Sequence, residues 1–377
     1  MAGIYVHIPF CKSRCIYCGF YSTTLLGERS RYVDCICKEL ESRTDYLKGE
    51  TINTIYFGGG TPSQLPSEAI SRILNTIREN YSVDSNAEIT MEANPDDVKP
   101  EFVEKLKGTP INRISLGVQT FDDERLKFIH RRHSASQAID AVNLLKANGY
   151  ANISIDLMFG FPGQTLDDWE KDIERAIQLD VQHLSAYSLM YEEGTPLYHL
   201  LESGKIEEID EELSVSMYGL LIDKLSEAGF LQYEISNFAK PNFHSRHNSS
   251  YWNNIPYLGI GAGAHSFDGK SRSWNISNLI EYCEGIEKGG NIAEEEILTE
   301  TQRYNERIMT RLRTSEGLNL KDFEAEFGEQ RFETLRTAVR DLTNSYPGCL
   351  EQRSEFIRLT RNGIMISNQL MSDLFIE

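Results

Sequence analysis

The order of hydrophobic patterns along this chain predicts an α/β fold with parallel strands, followed by a small, mostly helical C-terminal domain. Two observations carry that expectation. Through the first half of the 377 residues, short β-rich runs alternate with stretches of helical period, the signature of a parallel sheet with helices on its outside. From about Thr299 the alternation gives way to helices, a strand-like run at 356–359 and a last helix, which suggests a winged-helix-like ending. The pattern alone leaves open whether the sheet is flat or curled into a barrel.

Taken in order, strands are expected at 4–8, 52–57, 87–91, 113–118, 153–159 and 183–189, where branched and aromatic residues cluster between turn signals. Helices are expected at 31–47, 68–80, 101–107, 136–148 and 167–179; Pro66 and Ser67 open one and Gly149 closes another. A longer helix is expected over 207–229, and its acidic opening, Glu207 to Glu212, reads as a solvated face. Residues 233–268 are rich in aromatics, Asn, Gly and His and are expected to be loop-rich, packed over the core. The division that follows is a core at 1–232, a connecting element at 233–298 and a helical domain at 299–377.

Lysine and arginine total 38 against 57 aspartates and glutamates, a net charge of −19. Nucleic acid is disfavoured as a partner, since phosphate contacts need clustered positive charge, and the C-terminal domain has no basic surplus either. Hydrophobic and charged contents of 40% and 25% fit a folded globular chain. No apolar run approaches the ~18 residues that span a bilayer, and the opening MAGIYVHIPF lacks a secretory pattern, so a cytoplasmic address is expected. The oligomeric state stays open, a homodimer included.

Seven cysteines, an odd number in a long chain, argue against a disulfide framework. Cys11, Cys15 and Cys18 follow directly on the first strand. Their Cys-x3-Cys-x2-Cys spacing lets one loop wrap three thiolates around a single inorganic centre. Structural zinc wants four ligands. A [4Fe-4S] cluster normally takes four cysteines, so three leave one iron open to an exchangeable ligand. Such an iron can bind the amino and carboxylate groups of S-adenosylmethionine, and an electron from the cluster can then cleave the sulfonium bond to a deoxyadenosyl radical. Cys35, Cys37, Cys283 and Cys349 read as packing residues.

With Tyr17 as the aromatic residue before the third cysteine, the segment resembles the radical SAM superfamily. That resemblance implies a partial (β/α)6 TIM-like barrel, a [4Fe-4S] cluster on Cys11, Cys15 and Cys18, and bound S-adenosylmethionine. In such a barrel function collects at the carboxyl ends of the strands, and the chemistry-bearing residues stand there. Gly58-Gly59-Gly60-Thr61-Pro62 follows strand two, Glu92-Ala93-Asn94-Pro95 strand three, Gln119 strand four and Asp156 strand five. The glycines would leave amides open to an amino-acid carboxylate or amine. Arg131 can fork onto a carboxylate.

The chain is similar, more narrowly, to the branch holding oxygen-independent coproporphyrinogen III dehydrogenase (HemN) and the HemW haem chaperones. The likeness runs through YVHIPFC, GGGTP, MEANP, SLGVQTF, DLMFGFPGQT and the C-terminal domain. It implies that Tyr5, Gly59, Gly60, Thr61, Glu92, Gln119, Arg131 and Asp156 contact S-adenosylmethionine, with Tyr17 beside the cluster. The dehydrogenase pattern has a further cysteine two residues past the third, where this chain has Phe20. The segment from His247 to Trp252 looks like the HNxxYW element of the chaperones, and the chain opens at strand one without the dehydrogenases' extension. The implied protein binds haem or a porphyrin and hands haem to respiratory apoproteins, with the membrane as one meeting place. His247 is then the expected haem ligand, against His244, His265 and Cys283 as competitors, while His7 packs beside the cluster. Two other readings stand beside it: a dehydrogenase acting on coproporphyrinogen III propionates, and a zinc or iron–sulfur scaffold without radical chemistry.

Overall fold

The structure, a computed structural model, describes residues 1–377. Strands β1 (Ala2–Ile8), β2 (Ile52–Gly59), β3 (Val83–Ala93), β4 (Arg113–Gln119), β5 (Ile153–Phe159) and β6 (His183–Ser188) lie side by side in chain order, each parallel to the next. Between them run helices α1 (Arg29–Ser42), α2 (Ser67–Asn80), α3 (Pro100–Leu106), α4 (Asp123–Phe128), α5 (Ala135–Ala147) and α6 (Leu166–Gln178). All six expected strands are present, and the α/β expectation holds.

Each parallel strand alternates with period two. Ile4, Val6 and Ile8 of β1, Ile55 and Phe57 of β2, and Ile114, Leu116 and Val118 of β4 are fully buried against the helices. The residues between them carry polar atoms: Tyr5 and His7, Thr54 and Tyr56, Arg113 and Ser115. A side-chain period of two places these on the opposite face. Parallel sheets usually read as continuous apolar runs because both faces are packed with carbon. Here one face is lined with hydrogen-bonding groups, and the sheet curls so that this face encloses an interior.

A short helix not expected from the sequence, α7 (Pro196–Glu202), precedes α8 (Glu211–Glu227), which is the expected 207–229 helix without its acidic lead-in. Asp210, the last residue of the lead-in, caps α8 by accepting from the Glu212 amide at 2.8 Å. Acidic residues there meet the positive end of the helix dipole.

Residues 233–268 correct the loop-rich expectation. β7 (Leu231–Glu234) and β8 (Asn237–Ala239) add antiparallel to the β6 edge. After α9 (Arg246–Trp252), β9 (Tyr257–Ile260) pairs parallel with β1, and β10 (His265–Phe267), β11 (Ser271–Asn275), α10 (Leu279–Lys288) and β12 (Ala293–Ile297) complete a twelve-stranded sheet. The strands were hidden because three- to five-residue pieces with Asn and Gly carry little periodicity. The sheet ends at β12 on one side and β7 on the other, so it is a partial barrel, and α9 packs against its central strands β1 and β2. β12 reads Ala-Glu-Glu-Glu-Ile, and charge on an edge strand discourages pairing with another chain.

The C-terminal domain has its own core. α11 (Glu300–Leu312), β13 (Leu318–Asn319), α12 (Leu320–Ser345), β14 (Leu350–Arg353), β15 (Phe356–Leu359), α13 (Arg361–Met365) and α14 (Ser367–Ser372) surround Tyr304, Phe323 and Phe327, whose rings pack within 5.6 Å of one another. Three antiparallel strands in the order β13-β15-β14 form the wing. Backbone bonds from Ile235 N–H to Arg313 O (3.1 Å) and Ser315 N–H to Tyr233 O (3.0 Å) fasten this domain to β7.

Trp169 shows what holds the helical layer on the sheet. Its ring is fully buried against Phe159 of β5 (5.2 Å), and its indole N–H donates to the Met217 carbonyl of α8 at 3.0 Å. Trp169→Ala is expected to cost about 3–5 kcal/mol in urea unfolding; an unchanged midpoint would show that the layers are held by other contacts.

Candidate functional site

β1 delivers the chain straight into the cysteine loop. Cys11 N–H donates to Thr23 O at 2.9 Å and Thr23 N–H to Pro9 O at 2.7 Å, so the loop leaves and returns at one point. All seven cysteines are free thiols; Cys11, Cys15 and Cys18 are half-buried, whereas Cys35, Cys37 and Cys283 are buried. No three His, Cys, Asp or Glu side chains gather as tightly as a single metal ion requires. The loop thiols still feel one another: burial chiefly raises Cys11 and Cys18, and the charge of Cys15 raises both further. Thr61, just past β2, lies 3.4 Å from the Cys11 sulfur and opposes that rise.

Arg131 ties the loop to the sheet. One nitrogen donates to the Cys15 sulfur at 3.7 Å; another donates to Asn94 Oδ1 at 2.7 Å and to the Gly117 carbonyl. Its Nε is buried with no partner. A Cβ at Gly117 would sit 2.8 Å from this guanidinium and 2.9 Å from the Gln119 amide, so glycine there makes room for both. Gln119 takes a φ of +72°, an uncommon left-handed conformation that ends β4 abruptly. Tyr17 lies beside Arg131 and Cys15, and burial raises its phenol.

The glycine run after β2 is packed more closely than expected. Gly59 has a φ of +108°, and a Cβ there would fall 2.5 Å from the His7 ring. Its amide donates to Glu92 Oε2 at 3.2 Å, and the Gly60 amide to the Ile8 carbonyl at 2.9 Å. The glycines therefore let β2 close against β1, with these two amides engaged inside the protein.

Two of the carboxylates inside the barrel, Glu92 and Asp156, are not taken up by α9. Glu92 accepts from the Tyr56 hydroxyl at 2.8 Å and is pushed up to about 7, first by burial, with the nearby Asp156 charge adding and Tyr56, Gly59 and Arg113 opposing. Burial also raises Asp156, against Ser185, Arg113 and Ser115, whose hydroxyl is 3.4 Å away. Neither carboxylate has an ion-pair partner in contact. Arg113, only 1% exposed and with its Nε unpaired, is the interior cation that favours both charges from a distance. Tyr56, Arg113, Ser115 and Ser185 were not singled out in the sequence; the period-two alternation was the signal that could have found them.

His247 lies across the barrel from the loop, on α9. It is 1% exposed, with Nδ1 at 2.8 Å from Thr54 Oγ1 and Nε2 at 2.9 Å from the Tyr251 hydroxyl, and its ring stacks on Tyr56 at 5.1 Å and Tyr5 at 6.4 Å. Glu88 of β3 accepts the Arg246 and His247 amides, both at 3.0 Å, and so anchors the start of α9. Both ring nitrogens being engaged, ligation of iron by His247 would require Thr54 or Tyr251 to release it. His7 is also engaged, by Tyr5 OH and the Tyr21 carbonyl, each at 3.0 Å. Tyr251 is the part of the HNxxYW element that reaches a cleft of about 670 Å³, which is also walled by Tyr5, His7, Phe20, Tyr21 and His265. Cys283 is buried in α10, and His244 stacks on Tyr233 at 4.3 Å outside that cleft.

Residues 5–176 match the model of the radical SAM superfamily, and residues 298–366 match that of the HemN C-terminal domain. The class is thus a radical SAM core with a HemN-type C-terminal domain. The solved coproporphyrinogen III oxidase (HemN) from Escherichia coli has a similar fold, with a TM-score of 0.85 at 21% identity over 99% of this chain and 90% of that one. Heme chaperone HemW from Bacillus subtilis is 34% identical over 373 residues, 98% of each chain, and that from Mycobacterium tuberculosis 33% over 99% of this chain and 94% of its own. The chain belongs to the HemW heme chaperone family of the radical SAM superfamily. That superfamily implies a [4Fe-4S] cluster and S-adenosylmethionine. No helix is long and apolar enough to cross a membrane.

Glu92 makes the interior measurable. In an unfolded chain its carboxyl ionises near 4.5, in the fold near 7, so the folded form holds the proton more tightly. This contribution favours the fold at low pH and is lost as pH rises from about 4.5 through 7. In protein without cluster or ligand, Glu92→Gln should therefore gain stability relative to the parent across that window. Urea unfolding at several pH values checks this, and a pH-independent difference would contradict it.

Proposed function

We propose that this protein is a haem chaperone: it binds haem, holds a [4Fe-4S] cluster and exchangeable S-adenosylmethionine, and passes haem to haem-dependent respiratory apoproteins. The observation that carries the cofactor part is the pair of enclosed carboxylates without a contacting cation, below a loop of three thiols. Such an interior suits a ligand bearing an ammonium, a sulfonium and hydroxyls. The haem part rests on family membership, on the HNxxYW element and on Phe20 at the dehydrogenase cysteine position.

When bound, the cluster would supply the electron that lets the carbon–sulfur bond of the S-adenosylmethionine sulfonium break. This chain's residues bind and orient. Cys11, Cys15 and Cys18 hold iron, with Thr61 and Arg131 already against two of the sulfurs. Glu92 receives the amino group, whose positive charge would draw its proton off. Asp156 accepts from ribose hydroxyls, and the unpaired Nε of Arg131 offers a donor to the carboxylate. Gln119 closes the strand-end ring, while Gly59 and Gly60 act through the tight fit of β2 on β1. Tyr5 lies at the floor, between His7 and His247. Haem is cargo, and Tyr251 enters its cleft held by His247.

Anaerobic reconstitution with iron and sulfide tests the cluster. The parent should take up a [4Fe-4S] complement, and the Cys11→Ala, Cys15→Ala, Cys18→Ala triple variant should not; zinc without iron in the parent would favour a scaffold. Asp156→Ala should weaken S-adenosylmethionine binding by about tenfold to a hundredfold, the worth of hydrogen bonds to a charged group, as read by equilibrium dialysis. Added haem should give a Soret change. Conversion of coproporphyrinogen with S-adenosylmethionine would favour the dehydrogenase instead.

A further inference from the structure

We infer that haem occupies the cleft between the segment following Cys18 and the start of β10, with His265, not His247, bound to its iron. The inference rests on the chaperone reading and says where the cargo sits. The cleft, about 670 Å³, falls within the ~300–1,000 Å³ usual for cofactor sites. Its walls include Phe20, Tyr21, Tyr251 and Tyr257, rings that can cover a flat apolar macrocycle. Phe20 is 71% exposed, a large apolar surface left uncovered at the mouth. Arg14, exposed at the rim, can pair with a propionate.

Two histidines reach this cleft, and one has a ring to give. His7 shares both nitrogens, with Tyr5 and the Tyr21 carbonyl. His265 stacks on Trp274, at 6.2 Å and 29°, and makes no side-chain hydrogen bond. Partial burial and the charge of Arg272 hold it below the usual imidazole range, so it is neutral and able to ligate near neutral pH. His247 stands behind Tyr251 and is a positioning residue: it fixes the phenol that forms part of the wall. A cleft of about 730 Å³ between α1 and α2 lacks any histidine, cysteine or aromatic side chain. Because residues 19–22 form one wall, loading the cysteine loop and loading haem share a structural element.

Ferric haem titrated into reconstituted full-length protein, followed by absorption and electron paramagnetic resonance, tests this. The parent should show histidine coordination. His265→Ala and His265→Gln should lose that signature and at least tenfold in affinity, and free imidazole should restore the spectrum of His265→Ala. His247→Ala should bind more weakly and keep histidine coordination. Retention of the parent spectrum and affinity in both His265 variants, or loss of histidine coordination only in His247→Ala, would overturn the inference while leaving haem binding intact. No Soret change in the parent would sink the chaperone reading itself. Thermal unfolding of each variant identifies misfolding; if both His265 variants misfold, parent spectra that lack a histidine signature overturn the assignment.

Discussion

The parallel sheet has to satisfy two environments at once, and the rest of the molecule depends on how it does so. On one face Ile4, Val6, Ile8, Ile114, Leu116 and Val118 lose all contact with water beneath the helices. On the other, Tyr5, His7, Thr54, Tyr56, Glu92, Arg113 and Asp156 need partners, because a buried polar group without one costs several kcal/mol. On the curled inner face adjacent strands satisfy each other: Tyr56 of β2 reaches Glu92 of β3, and Arg113 of β4 favours the charge on Asp156 of β5.

Closing that interior falls to α9. It packs against β1 and β2 and touches α11, and its first amides are taken by Glu88 of β3. His247 then fills the space between Tyr5, Thr54 and Tyr56, joining the aromatic floor through hydrogen bonds at both nitrogens. At the opposite end the cysteine loop is held by Thr61 and Arg131. The interior between holds Glu92 and Asp156 with no cation in contact, a balance that a positively charged ligand would improve.

Much of this was legible in advance. The six strands and most of the helices followed from periodicity, because β1 through β6 are long enough to show it. The cysteine spacing and the residues after each strand end were visible as local patterns. The strands at the sheet margins were not, since β8 and β10 have three residues each and draw their identity from neighbours distant in the chain. The glycine run misled in one respect. Its φ of +108° and closeness to His7 make it a packing device, and the bonds from Gly59 to Glu92 and from Gly60 to Ile8 are invisible without the fold.

By itself the sequence determined the class of fold, the cysteine loop and the residues offered at the strand ends, because short-range spacing encodes them. Only the tertiary structure decided that the inward residues share one enclosed space. It decided, too, that Glu92 is held up to about 7 and that His247 is spent on Thr54 and Tyr251 while His265 stands unpaired at a cleft. Burial, dielectric and the availability of a lone pair depend on what other parts of the chain bring alongside, and no local pattern states that.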